Sequence, residues 1–143
     1  MRIVDANVLI YAVNTSARQH EAARSWLTRA LAGPESVGIP THSWLAFLRI
    51  TTRPHLLENP LTVKQATDLV EAWLHPPHVV DPPSPLGHHA RVARLLSDVG
   101  TAGNLVPDAH LAALALHHHC PIVSFDRDLT RFGVDVEVPQ PPD

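Results

Sequence analysis

The sequence predicts an α/β domain in which a mostly parallel central sheet is flanked by helices. Short apolar runs, typical of buried strands, alternate with longer segments whose apolar residues recur at helical spacing. Two of the short runs end directly in an aspartate. Of the 143 residues, 45% are hydrophobic, which suits one compact core. We therefore expect residues 1–143 to form a single domain, with 139–143 as a frayed tail.

The first half of the chain alternates short strands with helices. The apolar run over 2–4 is too short to alternate between two faces but suits the start of a buried parallel strand, and it ends at Asp5. A later helix is stopped by the Gly33-Pro34 pair. Strands are predicted over 2–4 and 37–39, and helices over 7–12, 20–31 and 43–52.

The second half carries clear helix-start signals. Thr62 followed by Gln65 matches a capping box, in which each side chain bonds the backbone of the other residue. Pro107 suits the first turn of another helix, because its fixed φ and missing N–H cost nothing there. That helix ends before Pro121, which cannot continue it. Strands are predicted over 79–81, 122–125 and 134–138, and the two earlier helices of this half over 63–73 and 86–99.

The composition excludes several classes of protein. Eleven Lys and Arg face 14 Asp and Glu, a formal net charge of −3, whereas an autonomous nucleic-acid-binding domain is normally basic. Any contact with nucleic acid therefore requires Arg side chains gathered locally or across a dimer. Cys120 is the only cysteine, so no disulfide forms within the chain. No signal-peptide-like or membrane-spanning apolar stretch occurs, and we expect a soluble cytoplasmic protein.

Four aspartates are predicted to gather at one edge of the sheet. Asp5 and Asp126 each follow a strand, Asp128 lies two residues further on, and Asp108 opens a helix. Like charges in a small volume repel one another unless a cation joins them, and oxygen ligands suit Mg²⁺ or Mn²⁺. Such an ion polarises a phosphodiester and lowers the pKa of a bound water. The cluster therefore indicates hydrolysis of phosphodiester bonds.

Each aspartate also has a purely structural explanation. Asp108, taken alone, is best explained as complementing the dipole of its helix, and Asp128 fits a turn or cap equally well. Asp5 is harder to explain by packing, because an acid directly after a buried strand is seldom required there. A further hypothesis treats all four as solubilising charges. The cluster is more informative than any one of its members.

Four segments resemble the PIN-domain ribonucleases, specifically the VapC-like toxins of type II VapBC toxin–antitoxin systems. They are IVDANVLIYA, WLAFLRITTRP, GNLVPDAHLAALAL and PIVSFDRDLTRF, and they occur in order over most of the chain. The resemblance implies a three-layer PIN-like fold and a metal-dependent endoribonuclease. It also implies that Asp5, Asp108 and Asp126 bind the metal, where a metal-bound water attacks phosphorus. Asp128 then assists catalysis, and Ser124 contacts the metal shell or an aspartate.

The sequence departs from this family pattern at one position. The family usually has a Glu in the helix after the second strand, and WLAFLR places Ala46 there. Glu58 and Glu71 lie in other elements and are interpreted as surface charges. Arg49, three residues after Ala46, could reach a phosphate, pair with an aspartate of the site or form an ordinary salt bridge. The alternative function is therefore a PIN-fold binding module that is catalytically weak or inactive.

The resemblance further implies an RNA substrate, a homodimer and a VapB-like antitoxin that wraps the protein. The apolar faces with Trp26, Leu27 and Trp44 are candidate grooves for an antitoxin helix, although a place in the core explains them at least as well. Trp73 is interpreted in the same way.

The histidines are predicted to have no joint role. His117, His118 and His119 are consecutive, so their side chains point in different directions and cannot together bind one ion. We interpret them as the solvated end of a helix, where protonated histidine is mildly favourable. The same interpretation is given to His42, His88 and His89, and no role is expected for His110.

Overall fold

A computed structural model describes all residues 1–143 and contains one sheet of five short strands. All four strand pairings are parallel, which confirms the predicted parallel α/β sheet. The strands are β1 (Arg2–Val4), β2 (Val37–Gly38), β3 (Val79–Val80), β4 (Ile122–Val123) and β5 (Val136–Glu137).

Six α-helices connect the strands, and each was predicted from the sequence. Two short 3₁₀ helices, Gly103–Leu105 and Arg127–Phe132, were not predicted. The capping box at Thr62 is present in full, since both of its hydrogen bonds form. The helices are α1 (Ala6–Val13), α2 (His20–Ala32), α3 (Thr41–Thr51), α4 (Val63–Leu74), α5 (His88–Val99) and α6 (Val106–His118).

Two helix starts differ from the sequence prediction for local reasons. Helix α3 begins at Thr41 rather than residue 43, because the Asp81 carboxylate accepts hydrogen bonds from the backbone N–H and the hydroxyl of Thr41. That capping group lies 40 residues away in sequence. Helix α5 begins at His88 rather than residue 86, because Gly87 has a φ of +77°, outside the helical region.

The sheet separates two apolar cores, which gives the molecule three layers. Adjacent strand residues face opposite sides: Val4 belongs to the core beneath α1 to α4, whereas Ile3 belongs to the core beneath α5 and α6. Ile122 and Val123 divide in the same way between the two cores. The predicted three-layer arrangement is therefore confirmed.

The order of the strands creates a crevice at one edge of the sheet. The order is β3-β2-β1-β4-β5, so the chain builds outward from β1 on one side and then crosses to β4 on the other. In open α/β sheets ligands bind outside the carboxyl ends of the strands where the order reverses. Here that point lies between β1 and β4. The residues that follow these two strands are Asp5 and Ser124.

The groove interpretation of the tryptophans is wrong for Trp26 and its neighbour Leu27. Both lie in the core with side chains that are 7% and 3% exposed, and the indole N–H of Trp26 donates to Glu137 Oε1 at 2.8 Å. Trp73 is also buried and packs edge-on against Phe47. Because these faces cover the protein's own sheet, they are not free to receive a partner helix.

No helix in the structure combines the length and the apolar character needed to cross a bilayer.

Candidate metal centre

Asp5 stands at the junction of β1 and α1. Its backbone N–H donates to the Val123 carbonyl at 3.0 Å, which continues the pairing with β4, and its carbonyl accepts from the Val8 N–H at the start of the helix. The carboxylate makes no helix-capping bond and is directed instead to neighbouring side chains. Burial raises the pKa of Asp5, and the charge of Asp126 raises it further, although local hydrogen bonds oppose both effects.

Ser124 and Asn7 hold the Asp5 carboxylate in place. The fully buried Ser124 hydroxyl donates to Asp5 Oδ2 at 2.6 Å. The Asn7 amide donates to the same carboxylate oxygen at 3.0 Å and to Ser124 Oγ at 2.9 Å. Its carbonyl oxygen accepts from the Phe125 N–H at 3.2 Å, which fixes the orientation of the amide. One oxygen of Asp5 therefore accepts hydrogen bonds from two side chains, which hold the carboxylate in one orientation.

Asp126 approaches the same site from β4. Its backbone N–H donates to Ser124 Oγ at 3.0 Å, so a single hydroxyl links the backbone of Asp126 to the side chain of Asp5. Its carboxylate caps the second 3₁₀ helix by accepting from the Asp128 N–H at 2.9 Å. The sequence predicted a strand end at this position, and the unexpected 3₁₀ helix is what turns the chain away from the site.

Asp108 enters the site from the first turn of α6. The buried residues of this helix pack it against the sheet, so its N-terminus is held at the carboxyl edge of the strands. Burial is the largest effect on Asp108, followed by the negative charges of Asp5 and Asp126, and together they raise its pKa to about 6. The charge of Arg131 opposes this shift. The three aspartates are therefore close enough to interact electrostatically.

The donor set fits a hard divalent cation. None of the three aspartates forms a salt bridge, and the more distant charge of Arg131 only partly offsets the raised pKa of Asp108. No three His, Cys, Asp or Glu side chains are placed to hold a metal ion by themselves. Mg²⁺ does not need such a cage, because it keeps several waters and is usually bound through one or two carboxylates. The all-oxygen site therefore suits Mg²⁺ or Mn²⁺ with water completing the ligand shell.

The other predicted residues lie at the margin of this site. Asp128 is exposed, and its carboxylate pairs with Arg131 at 3.2 Å. Arg49 is exposed and forms no ion pair with any carboxylate. Ala46 is partly buried in α3, one turn after Ser43, whose hydroxyl donates to the Val4 carbonyl next to Asp5. Helix α3 therefore lies next to the site, but the residue at position 46 has no carboxylate to contribute.

Asn7 is the site residue that sequence reasoning missed. The sequence predicts only a helix here, although the pattern Asp5-Ala6-Asn7 offered a signal, because an Asn side chain near a helix start commonly bonds neighbouring polar groups. Its partners Ser124 and Phe125 are more than 100 residues away. Only the pairing of β1 with β4 brings them together.

The metal-free protein is expected to lose stability as the pH rises from about 4 to about 6. Asp108 has a pKa of about 6 in the folded chain against 3.8 ordinarily. Between these two values the unfolded chain has lost the proton and the folded chain has not, so the free energy of unfolding falls as the pH rises. The difference corresponds to about 3 kcal/mol without screening and to about 1 kcal/mol for a partly exposed group. Urea unfolding of wild type and Asp108→Asn across this pH range measures it. A gap between the two proteins that stays constant with pH contradicts this assignment.

Comparison with known proteins places these residues in a family. Residues 2–135 match the family described as PIN domain. The chain is 46% identical over 142 residues to Ribonuclease VapC37 of Mycobacterium tuberculosis strain ATCC 25618 / H37Rv, covering 99% of this chain and 98% of the relative. It is 40% identical over 134 residues to Ribonuclease VapC31 of the same strain, covering 93% and 94%.

Solved structures share the fold at low sequence identity. VapBC2 from Rickettsia felis, bound to a DNA fragment from its promoter, aligns with a TM-score of 0.66 at 14% identity, covering 97% of this chain and 98% of the other. FitAcB from Neisseria gonorrhoeae aligns with a TM-score of 0.65 at 21% identity, covering 95% and 96%.

Proposed function

Because this chain belongs to the PIN domain family, we propose that it is a divalent-metal-dependent endoribonuclease and the toxin of a VapBC-type toxin–antitoxin pair. Two whole-length relatives named ribonucleases, at 46% and 40% identity, support the reaction class. The observation that carries the proposal is the meeting of Asp5, Asp108 and Asp126 at the switch point of the sheet, where none of them forms a salt bridge. An RNA phosphodiester is itself anionic, so a divalent ion is needed before substrate can approach.

The residues of the chain have distinct roles in this proposal. Asp5, Asp108 and Asp126 hold Mg²⁺ or Mn²⁺, which when bound neutralises charge on the phosphodiester and lowers the pKa of water. Ser124 positions the Asp5 carboxylate and the Asp126 backbone through one hydroxyl. Asn7 keeps that hydroxyl and carboxylate aligned.

Metal binding at the site is coupled to the ionisation of Asp108. In the metal-free chain its pKa is about 6, so below that pH the ion must displace a proton from this carboxyl in order to bind. Asp128 lies at the rim, paired with Arg131, and is able to assist through water once that pair opens.

The partner is proposed to be a VapB-like antitoxin, and the oligomer a homodimer in the cytoplasm. Solved structures that share the fold include VapBC2 and FitAcB, whose names support a paired partner. The acidic site is complementary to an arginine, which an antitoxin could insert in place of the metal. Exposed apolar side chains, which include Leu45 on α3 and the fully exposed Leu86, are better candidates for contact surfaces than the buried Trp26.

A non-catalytic binding module is the second candidate, and Ala46 is the observation that favours it. Without the usual Glu, helix α3 contributes no carboxylate, so affinity for the metal is expected to be lower than in a site with four acids. Such a module would bind its partner through the same surfaces but would not cleave RNA.

The purified, antitoxin-free chain is expected to cleave cellular RNA in Mg²⁺ or Mn²⁺ and to stop when a chelator is added. Incubation of a mixed cellular RNA pool with each metal, followed by mapping of the new ends, measures this activity. Because the carboxylates must be ionised to bind the ion, cleavage should fall as the pH drops below about 6.

The Ala46→Glu variant separates the two candidate functions in the same assay. If the wild-type chain is folded and inactive in both metals while Ala46→Glu cleaves, the natural protein is the binding module. If both are active, and Ala46→Glu needs less metal, the three-aspartate site is sufficient for catalysis. Cleavage that persists at full rate in excess chelator would overturn the metal-dependent mechanism.

A further inference from the structure

Three histidines from three helices form a cluster beside the carboxylate site, which corrects the interpretation of these residues as separate solvated groups. His42 lies on α3, His88 begins α5 and His110 lies on α6. The ring centres of His88 and His110 are 5.0 Å apart, and those of His42 and His110 are 5.4 Å apart. Nε2 of His88 and Nδ1 of His110 share a hydrogen bond of 2.8 Å. Because the three histidines are far apart in sequence, local sequence patterns could not predict this arrangement.

We propose that His88 and His110, joined by His42, form a second metal site that takes a borderline-soft divalent ion such as Zn²⁺. Imidazole nitrogens suit Zn²⁺, Ni²⁺ and Cu²⁺, whereas carboxylates and water suit Mg²⁺ and Mn²⁺. The protein therefore carries two neighbouring sites of different chemistry. The ion at the histidine site ties together three helices, one of which presents Asp108.

The ring spacing agrees with ligands of a single ion. With Zn–N bonds of about 2.0–2.1 Å, two imidazoles on a tetrahedral ion have ring centres roughly 5 Å apart and nitrogens roughly 3.3 Å apart. The observed nitrogens of His88 and His110 are at hydrogen-bond distance. Entry of the ion requires them to separate by roughly half an ångström, while the shared hydrogen moves to the other nitrogen of its own neutral ring.

His42 supplies the third ligand by rotating its side chain. No three side chains of the chain are already placed to hold an ion by themselves, and only the rings of His88 and His110 are in hydrogen-bond contact. His42 is partly exposed and faces His110, so a rotation brings its nitrogen toward the pair. Three protein ligands with one water are a common zinc arrangement.

One nitrogen of the His88–His110 pair has no hydrogen-bond partner. It is Nδ1 of His88, which is buried. This nitrogen is the one turned away from His110, so it is not the ligating atom; when Nε2 binds the ion, Nδ1 carries the ring hydrogen and needs a water as its partner.

Solvent reaches the cluster from two sides of different charge. His42 and His110 line a cavity of about 290 Å³ that also contains the Asp81 carboxylate. His88 lines a cavity of about 330 Å³ on the other side, where Arg91 and Arg94 repel cations. We expect a metal ion to enter from the side of Asp81.

Zinc binding to the untagged full chain tests the proposal. Isothermal titration with Zn²⁺ and the zinc-dependent rise in melting temperature should both be present in wild type. His88→Asn and His110→Asn should weaken binding by about tenfold or more and remove most of the melting shift. The exposed neighbour variant His89→Asn should keep both effects. Circular dichroism checks that each variant is folded.

Several outcomes would overturn the second site. One is the absence of zinc binding by the folded wild-type chain. Another is binding that is lost in Asp108→Asn, which would place the ion at the carboxylates. A third is loss in His118→Asn with retention in His88→Asn, which would place it at the helix end. If His110→Asn does not fold, His42→Asn and His88→Asn carry the same test.

Discussion

Asp108→Asn is expected to abolish metal-dependent RNA cleavage, with a loss of more than about 100-fold. Removal of a hydrogen-bond partner of a metal ligand alone costs about 10–100-fold, and this change removes a ligand charge directly. The amide keeps the size of the side chain and removes one of three mutually repelling carboxylates. The metal-free variant should therefore be at least as stable as wild type at pH 7.

A loss of cleavage without a loss of stability distinguishes a residue that binds the metal from one that only supports the fold. Cleavage by each protein is compared at saturating Mg²⁺, and the free energy of unfolding is measured with urea in chelator. Asp98→Asn, an exposed aspartate on α5 that makes no ion pair, is the matched control and should change neither quantity. Retention of full activity in Asp108→Asn would remove this residue from the proposed metal site and favour its role in the helix dipole.

Trp26→Glu is expected to unfold the protein rather than to impair partner binding alone. Truncation of a buried tryptophan costs about 3–5 kcal/mol, and here a carboxylate would also be placed in the core. The new charge would lie beside Glu137, which now accepts the indole N–H of Trp26 at 2.8 Å. Since small domains are stable by only about 5–15 kcal/mol, the loss is a large part of the total.

Leu45→Glu is the matched control for that substitution. Leu45 is 49% exposed on α3, so the same change there should leave the fold intact. Thermal unfolding followed by circular dichroism compares the two variants, and antitoxin binding is then measured for whichever remains folded. A folded Trp26→Glu protein that has lost only partner binding would restore the groove interpretation and contradict the buried position of this side chain.

Local patterns predicted the elements of the fold well. The stop at Gly33-Pro34, the capping box at Thr62 and the short apolar run before Asp5 are encoded within a few residues, and the structure contains the elements that they predict. The true start of α3 could not be read locally, because its cap is Asp81 from a distant loop. The second 3₁₀ helix was likewise missed, because its cap is the same Asp126 carboxylate that was interpreted only as a strand end.

The sequence by itself determined that an α/β domain carries aspartates after two of its strands and at the start of a late helix. These features follow from residue spacing, which fixes the face or end of an element on which a side chain lies. The tertiary structure alone decided the strand order that sets β1 beside β4 and thereby joins Asn7, Ser124 and Asp5. It also decided that Trp26 is core and that His88 meets His110. These contacts join residues far apart in the chain, so they depend on how the whole sheet and its helices pack rather than on any local spacing.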